Sequence, residues 1–302
     1  MASFESKAFA VITRLSRFLP SEAPINDTNL AAKRRGFDQK AKLLPMSAWA
    51  TVTPQKIKGV RAEWVEAPES RLGRVMLYMH GGGFVLGGNH LHRDLISRIA
   101  RAGKVRALSV DYSLAPEHPF PVAMNEVVTA YKWLLAHKIK PEHIVLAGDS
   151  AGATLVLSSL LTIRDTKLPL PAAGIAIAPP TDATLKSCSK HSKRKIRFKI
   201  GGTSLPYFID SYFQDTPRDD PVASPLHGNL KGLPPLLIQA SDSELLYGDA
   251  VAFVNKARRQ KVDVDFYVAH NMVHVWHLFG RFLPEARVAI DDIGKYIQEK
   301  LP

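Results

Sequence analysis

Apolar residues fall into two rhythms along this chain. Continuous runs of about four to eight apolar residues read as buried strands, and stretches with apolar residues every three or four positions read as helices. The strand-like runs are "RVMLYM" (74–79), "VRALSVDY" (105–112), "HIVLAG" (143–148), "AAGIAIAP" (172–179), "PLLIQA" (235–240) and "VDVDFYVA" (262–269). Between them the helical rhythm occupies 92–103, 122–137, the segment after Ser150, a stretch near 247–260 and a last one near 284–299. Alternation of this kind, starting at about residue 60, predicts an α/β fold with a mostly parallel central sheet covered by helices on both faces. Residues 1 to about 45 read as mostly helical, with Phe4, Ala8, Val11, Ile12, Leu15 and Leu19 on one face. That face predicts a helix packed on the protein body, with a membrane-surface helix as the alternative.

The alternation breaks between about 181 and 232, a stretch that is basic and rich in turn residues. Loops of this length usually serve a function. An insertion over the carboxyl edge of the sheet, where ligands bind in open α/β sheets, accommodates it. The expected organisation is an N-terminal segment, 1–45, followed by one large α/β unit, 46–302, with the insertion inside it.

The chain has 302 residues, one cysteine (Cys188) and a net charge of +12. Its length suffices for one large core or two small ones. A single cysteine rules out an intrachain disulfide, which fits a reducing compartment. No apolar run approaches the roughly 18 residues of a membrane span. The N-terminus lacks the charge order and cleavage site of a secretory signal, so a cytoplasmic location is expected. Positive charge is densest in "KHSKRKIRFK", from Lys190 to Lys199. With no nucleic-acid module beside it, that run reads as a solvated segment, and no nucleic-acid partner is expected.

Candidate chemistry begins at "GDSAG" (148–152), where a strand-like run meets a helix-like one. One reading is a helix N-cap between turn glycines. The other is a nucleophile elbow, with Ser150 raised on a strained strand-to-helix turn that small neighbours permit. Acyl transfer by a serine further needs a base, an acid to orient it and donors for an oxyanion. "HGGGF" (80–84) follows the first strong strand and can turn backbone N–H groups toward a bound carbonyl oxygen. The N–H of Ala151, at a helix N-terminus, would be a further donor. For the base, His270, His274 and His277 all follow the last predicted strand. For the acid, Asp242, Glu244 and Asp249 all follow "PLLIQA", and spacing alone does not choose among them.

These segments, with "DYSLAPEHPFPVA" (111–123), "ASPLHGNLKGLPPLLIQ" (223–239) and "MVHVWHLF" (272–279), resemble in order and spacing the hormone-sensitive-lipase family of α/β-hydrolases, in particular its bacterial esterase branch. The resemblance spans roughly residues 60–300 and implies an α/β-hydrolase fold with a helical cap. In the family's histidine motif a histidine precedes Val-Trp, which selects His274. In its acid motif the carboxylate stands two residues before a leucine and five before an aspartate, which selects Glu244 over Asp242. Gly82, Gly83 and Ala151 match the oxyanion donors. Asp111, Tyr112, Glu117 and His118 match a stretch that braces the active-site loops, with Ser113 where arginine is common. Ala153 replaces a usual glycine after the elbow, and the basic segment 189–199 has no counterpart.

The implied activity is that of a serine carboxylesterase on short- to medium-chain acyl esters, with Ser150, His274 and Glu244 as the catalytic residues and no metal or organic cofactor. An amidase or deacetylase on the same residues is the nearest rival. A small-ligand receptor is another, since plant gibberellin receptors of the family bind without hydrolysis, but those lack the histidine. Family members are often dimers, which leaves a homodimer open.

Overall fold

The computed structural model describes residues 24–42, 46–191 and 204–302. The predicted N-terminal apolar face and most of the basic run 189–199 lie outside the described residues. Among those described, eight strands form one sheet in the order β1-β2-β4-β3-β5-β6-β7-β8. They are β1 (Thr51–Ile57), β2 (Val60–Glu66), β3 (Arg71–Met79), β4 (Val105–Asp111), β5 (Ile144–Asp149), β6 (Ala173–Ile177), β7 (Leu236–Ser241) and β8 (Val264–Ala269). From β4 through β8 all neighbours run parallel, while β1 and β2 form an antiparallel hairpin that pairs with β4.

The hairpin, like helices Lys186–His191 and Leu205–Phe213 of the insertion, is not revealed by the apolar pattern. "TVTPQKI" carries Pro54 and Lys56 and is mostly exposed, as suits an edge strand that must not recruit another chain. Its turn uses Lys58 and Gly59 at φ 47° and 91°, the positive pair that a two-residue hairpin loop requires.

Helices α1 (Leu30–Lys42), α2 (Asn89–Gly103), α3 (Val122–Ala136), α4 (Ala151–Asp165), α5 (Lys186–His191), α6 (Leu205–Phe213), α7 (Tyr247–Arg259) and α8 (Pro284–Lys300) complete the order. Successive side chains of a strand point to opposite faces. Thus Leu77 and Met79 of β3 join a core with Val127 of α3, Leu157 of α4 and Phe253 of α7. Met76 and Tyr78 join a second core with Ile96 of α2 and Ile293 of α8. Both faces of the central parallel strands are buried, so these strands read as unbroken apolar runs, while β8 at the edge is only partly buried. Every residue of β5 and β6 is buried. Among the described residues no helix is long and apolar enough to cross a membrane.

Parallel strands end on one edge, and that edge carries the functional candidates. The "HGGGF" loop follows β3, Ser150 follows β5, Glu244 follows β7 and His274 follows β8.

Candidate active site

β5 ends at Asp149 and α4 begins at Ala151, so Ser150 alone makes the turn. It sits at φ 51° and ψ −121°, a sparsely populated conformation for a side-chain-bearing residue. Such a conformation costs on the order of 1–3 kcal/mol and persists only where its surroundings enforce it. Here they do. Ile144, Val145, Leu146, Leu155, Val156 and Leu157 flank the turn and are fully buried. Burial of each such aliphatic side chain contributes roughly 1.5–3 kcal/mol, so the core outweighs the strain several times over.

The flanking glycines answer a close approach of the elbow to β3. A Cβ on Gly152 would lie 2.0 Å from the Met79 carbonyl oxygen, and one on Gly148 would lie 2.7 Å from the same oxygen. Both obstacles are backbone, so neither can swing away. Gly152→Ala is expected to destabilise the fold by about 1–3 kcal/mol or more through overpacking, measured by urea denaturation. A variant with native stability would mean that the elbow sits off β3.

His274 Nε2 lies 2.9 Å from Ser150 Oγ. Its Nδ1 is hydrogen-bonded to Glu244 Oε2. A carboxylate can only accept, so Nδ1 carries the proton and Nε2 is left to accept the Ser150 hydroxyl. Glu244 is held in turn, with its Oε1 accepting the Ser241 N–H at 2.8 Å. Its carboxylate is out of contact with water while the His274 ring is 15% exposed, so the imidazole faces the cavity and the acid stands behind it. Val275, at φ 49°, is a strained β-branched residue beside His274, and fully buried Trp276 anchors it.

The other acids and histidines of these loops are engaged elsewhere. Asp242 accepts from His270 Nδ1 at 2.7 Å and from the Asn271 N–H at 2.9 Å. That pair is at the surface, with His270 79% exposed. His277 donates to Gln239 Oε1 at 2.6 Å inside the core, where burial pushes its pKa down to about 3. Asp249 accepts the N–H groups of Thr181 and Asp182 and the Cys188 thiol, and burial pushes its pKa up to about 6. It ties the first turn of α7 to the start of the insertion.

The loop after β3 has positive φ at Gly82 (134°), Gly83 (64°) and Phe84 (65°). Most of its carbonyl groups are engaged. His80 O accepts the Tyr112 hydroxyl, Gly81 O accepts His80 Nδ1, and Gly82 O accepts the Val85 and Leu86 N–H groups. Phe84 O accepts the Ala115 N–H, and Val85 O accepts Arg34 Nε from α1. Phe84 stacks on Tyr212 of α6 at 3.7 Å between ring centroids, and Phe208 of α6 covers Gly83. Among the described residues the N–H groups of Gly82, Gly83 and Ala151 have no acceptor. An unpaired N–H is rare in a packed loop, and three together form a ready site for an oxyanion.

Of the family's bracing stretch, Tyr112 stacks on His80 at 4.2 Å, and Glu117 pairs with Arg34 at 2.6 Å. Asp111 faces Arg61 at 3.1 Å. A cavity of about 860 Å³ opens above Ser150. Its walls are largely apolar, with Ile25 and Phe37 from the N-terminal segment and Leu185, Phe208 and Phe213 from the insertion. Among the described residues no group of three His, Cys, Asp or Glu side chains is arranged to hold a metal ion.

A serine raised on a strand-to-helix turn at the carboxyl edge of a mostly parallel sheet is the arrangement of α/β-hydrolases. A family profile described as the alpha/beta hydrolase fold matches residues 76–278. The chain is 41% identical to an acetyl-hydrolase of Streptomyces hygroscopicus over 78% of this chain and 79% of that one. It is 35% identical to an esterase of Acinetobacter venetianus over 89% of each. The crystal structure of an esterase from the bacterial hormone-sensitive lipase family superposes with a TM-score of 0.89, at 36% identity over the full length of both chains. The chain belongs to the α/β-hydrolases, in their bacterial hormone-sensitive-lipase branch.

Two residues of this region, Asp149 and His92, carry no functional signal in the sequence. Asp149 stands within "GDSAG", where the sequence marks it only as part of the turn. His92 falls on the apolar face of an amphipathic helix with Leu95, Ile96 and Ile99, but nothing local names Asp149 as its partner.

Proposed function

We propose that the chain is a serine carboxylesterase acting on esters with short to medium acyl chains. The observation that carries this reading is the hydrogen-bonded series from Ser150 through His274 to Glu244, beside three N–H groups that have no acceptor among the described residues. His274 Nε2 takes the Ser150 proton as Oγ attacks the ester carbonyl. The N–H groups of Gly82, Gly83 and Ala151 hold the oxyanion. Glu244 keeps the imidazole in the productive tautomer and stabilises the imidazolium. That imidazolium then protonates the leaving alcohol, and neutral His274 activates the water that releases the acyl group.

Residues 1–45 and about 181–232 act as the cap. Residues from both segments line the cavity, which supports a bounded acyl site rather than one for long triglycerides. The acetyl-hydrolase and esterase names of the relatives support short acyl groups. One cysteine, buried and unpaired, is compatible with the cytoplasm.

Initial rates on p-nitrophenyl acetate, butyrate, octanoate and palmitate test the reading. Rates are expected to peak at acetate or butyrate and to fall toward palmitate. p-Nitroacetanilide, the amide counterpart of the acetate, should be hydrolysed at least about a hundredfold more slowly, because a poorer leaving group demands more protonation. A folded protein that labels with a fluorophosphonate but prefers the anilide would be an amidase. One that neither labels nor hydrolyses would be a binder.

A further inference from the structure

Behind Ser150 the fold buries a second acid–histidine pair, and the mechanism above does not use it. Asp149 and His92 are 1% and 2% exposed. Asp149 Oδ1 accepts the Tyr78 hydroxyl at 2.7 Å and the Gly81 N–H at 3.1 Å. Its Oδ2 faces His92 Nε2 at 3.3 Å, and His92 Nδ1 faces the Gly88 carbonyl at 3.3 Å. Both ring nitrogens thus meet groups that only accept, an arrangement that favours a proton on each and so the imidazolium form of His92. Burial works against that charge, but the Asp149 carboxylate, its hydrogen bond and the Gly88 carbonyl together outweigh burial, and the His92 pKa is raised. The neighbouring His80 ring lies 5.5 Å away. Burial, and next the charge of His92, push its pKa down to about 4, so it is neutral.

The pair bears directly on the loop after β3. A Cβ on Gly81 would lie 2.3 Å from Asp149 Oδ2, so the carboxylate packs against the Gly81 backbone as well as binding its N–H. Gly81 is the residue from which the positive-φ turn of Gly82 and Gly83 departs. An unpaired carboxylate here would also oppose negative charge on a nearby carbonyl oxygen. As an ion pair it holds the loop without adding net charge.

We propose that Asp149 and His92 are positioning residues of the oxyanion loop: an ion pair that anchors Gly81 and so sets the directions of the Gly82 and Gly83 N–H groups. The proposal rests on the esterase reading above. It predicts a defect in the chemical step rather than in substrate binding, because the donors matter most once the oxyanion forms.

The test compares His92→Gln, Asp149→Asn, the double variant and Tyr78→Phe with the native enzyme. The readouts are kcat and KM on p-nitrophenyl butyrate, and amide hydrogen exchange of peptides covering residues 80–88. Each single pair variant should lower kcat about 10- to 100-fold, less than outright loss of a donor. KM should stay within about threefold, and exchange at 80–88 should quicken. The double variant should be no slower than the worse single one, as expected for groups acting as a unit. Native kcat with native exchange, a change confined to KM, or additive losses would overturn the proposal. Where the pair variants do not fold, Tyr78→Phe decides, since it removes one hydroxyl from Asp149 and no charge. Faster exchange at 80–88 supports the proposal and native exchange overturns it. Hydrogen exchange needs no catalysis, so this result stays separate from the esterase reading, which the Ser150→Ala control tests.

Discussion

Replacing Ser150 with alanine is expected to lower kcat on p-nitrophenyl butyrate by at least about three orders of magnitude, with the fold intact. The hydroxyl is the only group that changes, and it is hydrogen-bonded to His274 rather than to anything that holds the elbow. The turn is held instead by backbone: the Ser150 N–H donates to Ile177 O at 2.8 Å, and its carbonyl accepts the Ala153 and Thr154 N–H groups of α4. Alanine preserves all of these, so the melting temperature should match the native one within a few degrees. His274→Ala should fall to a similar rate. The double variant should be no slower than either single one, because serine and histidine perform one step together. Residual activity should remain above the uncatalysed rate, supplied by the N–H groups of Gly82, Gly83 and Ala151 and by binding. Fluorophosphonate labelling should vanish with Ser150. Near-native hydrolysis by a verified Ser150→Ala preparation would remove Ser150 from the mechanism and reopen the search among the buried nucleophiles.

The parts of the molecule legible in the sequence are those where burial on both faces writes itself as an unbroken apolar run. β5, β6 and β7 satisfy that condition throughout and β3 and β4 over most of their length, while β8, an edge strand, does so only in part; the structure finds strands at all six apolar runs. The edge hairpin escapes because an edge strand must look polar, and Pro54 and Lys56 in β1 serve that need. At the site, "GDSAG" and "HGGGF" are legible because a tight turn and a close backbone approach both exclude side chains. Small residues record that exclusion locally. The Cβ clashes at Gly148 and Gly152 are its structural form.

Long-range pairing leaves no such local trace. Asp242, Glu244 and Asp249 stand within one short stretch, yet the fold sends each to a different partner: His270 at the surface, His274 at the elbow, and the backbone of Thr181 and Asp182. His92 is a partial case, since it falls on the buried stripe of α2 with Leu95, Ile96, Ile99 and Ala100. Periodicity within α2 reports its burial, but not that Asp149 at the end of β5 is its partner. What local sequence lacks is therefore the identity of the partner, which depends on where other strands end.

That sorting of acids gives the second large effect. Glu244→Gln is expected to lower kcat by about two to four orders of magnitude, the range open to a triad acid replaced by its amide. The carboxylate now accepts twice, from His274 Nδ1 and from the Ser241 N–H. An amide has one oxygen and one NH₂ group and cannot do both. With its oxygen toward Ser241, the NH₂ faces His274 Nδ1 and drives the proton to Nε2, where it blocks acceptance of the Ser150 proton. With its oxygen toward His274, the NH₂ meets the Ser241 N–H, two donors face to face in a buried turn. Asp242→Asn, by contrast, loosens a surface pair with His270 and should leave kcat within about threefold, as exposed pairs contribute little. KM should change little in either variant, since neither carboxylate faces the cavity as a binding group. The two variants measured side by side under one set of conditions decide the assignment. If Asp242→Asn proved the more damaging, the acid would be Asp242 and the hydrogen bond between Glu244 and His274 would be structural.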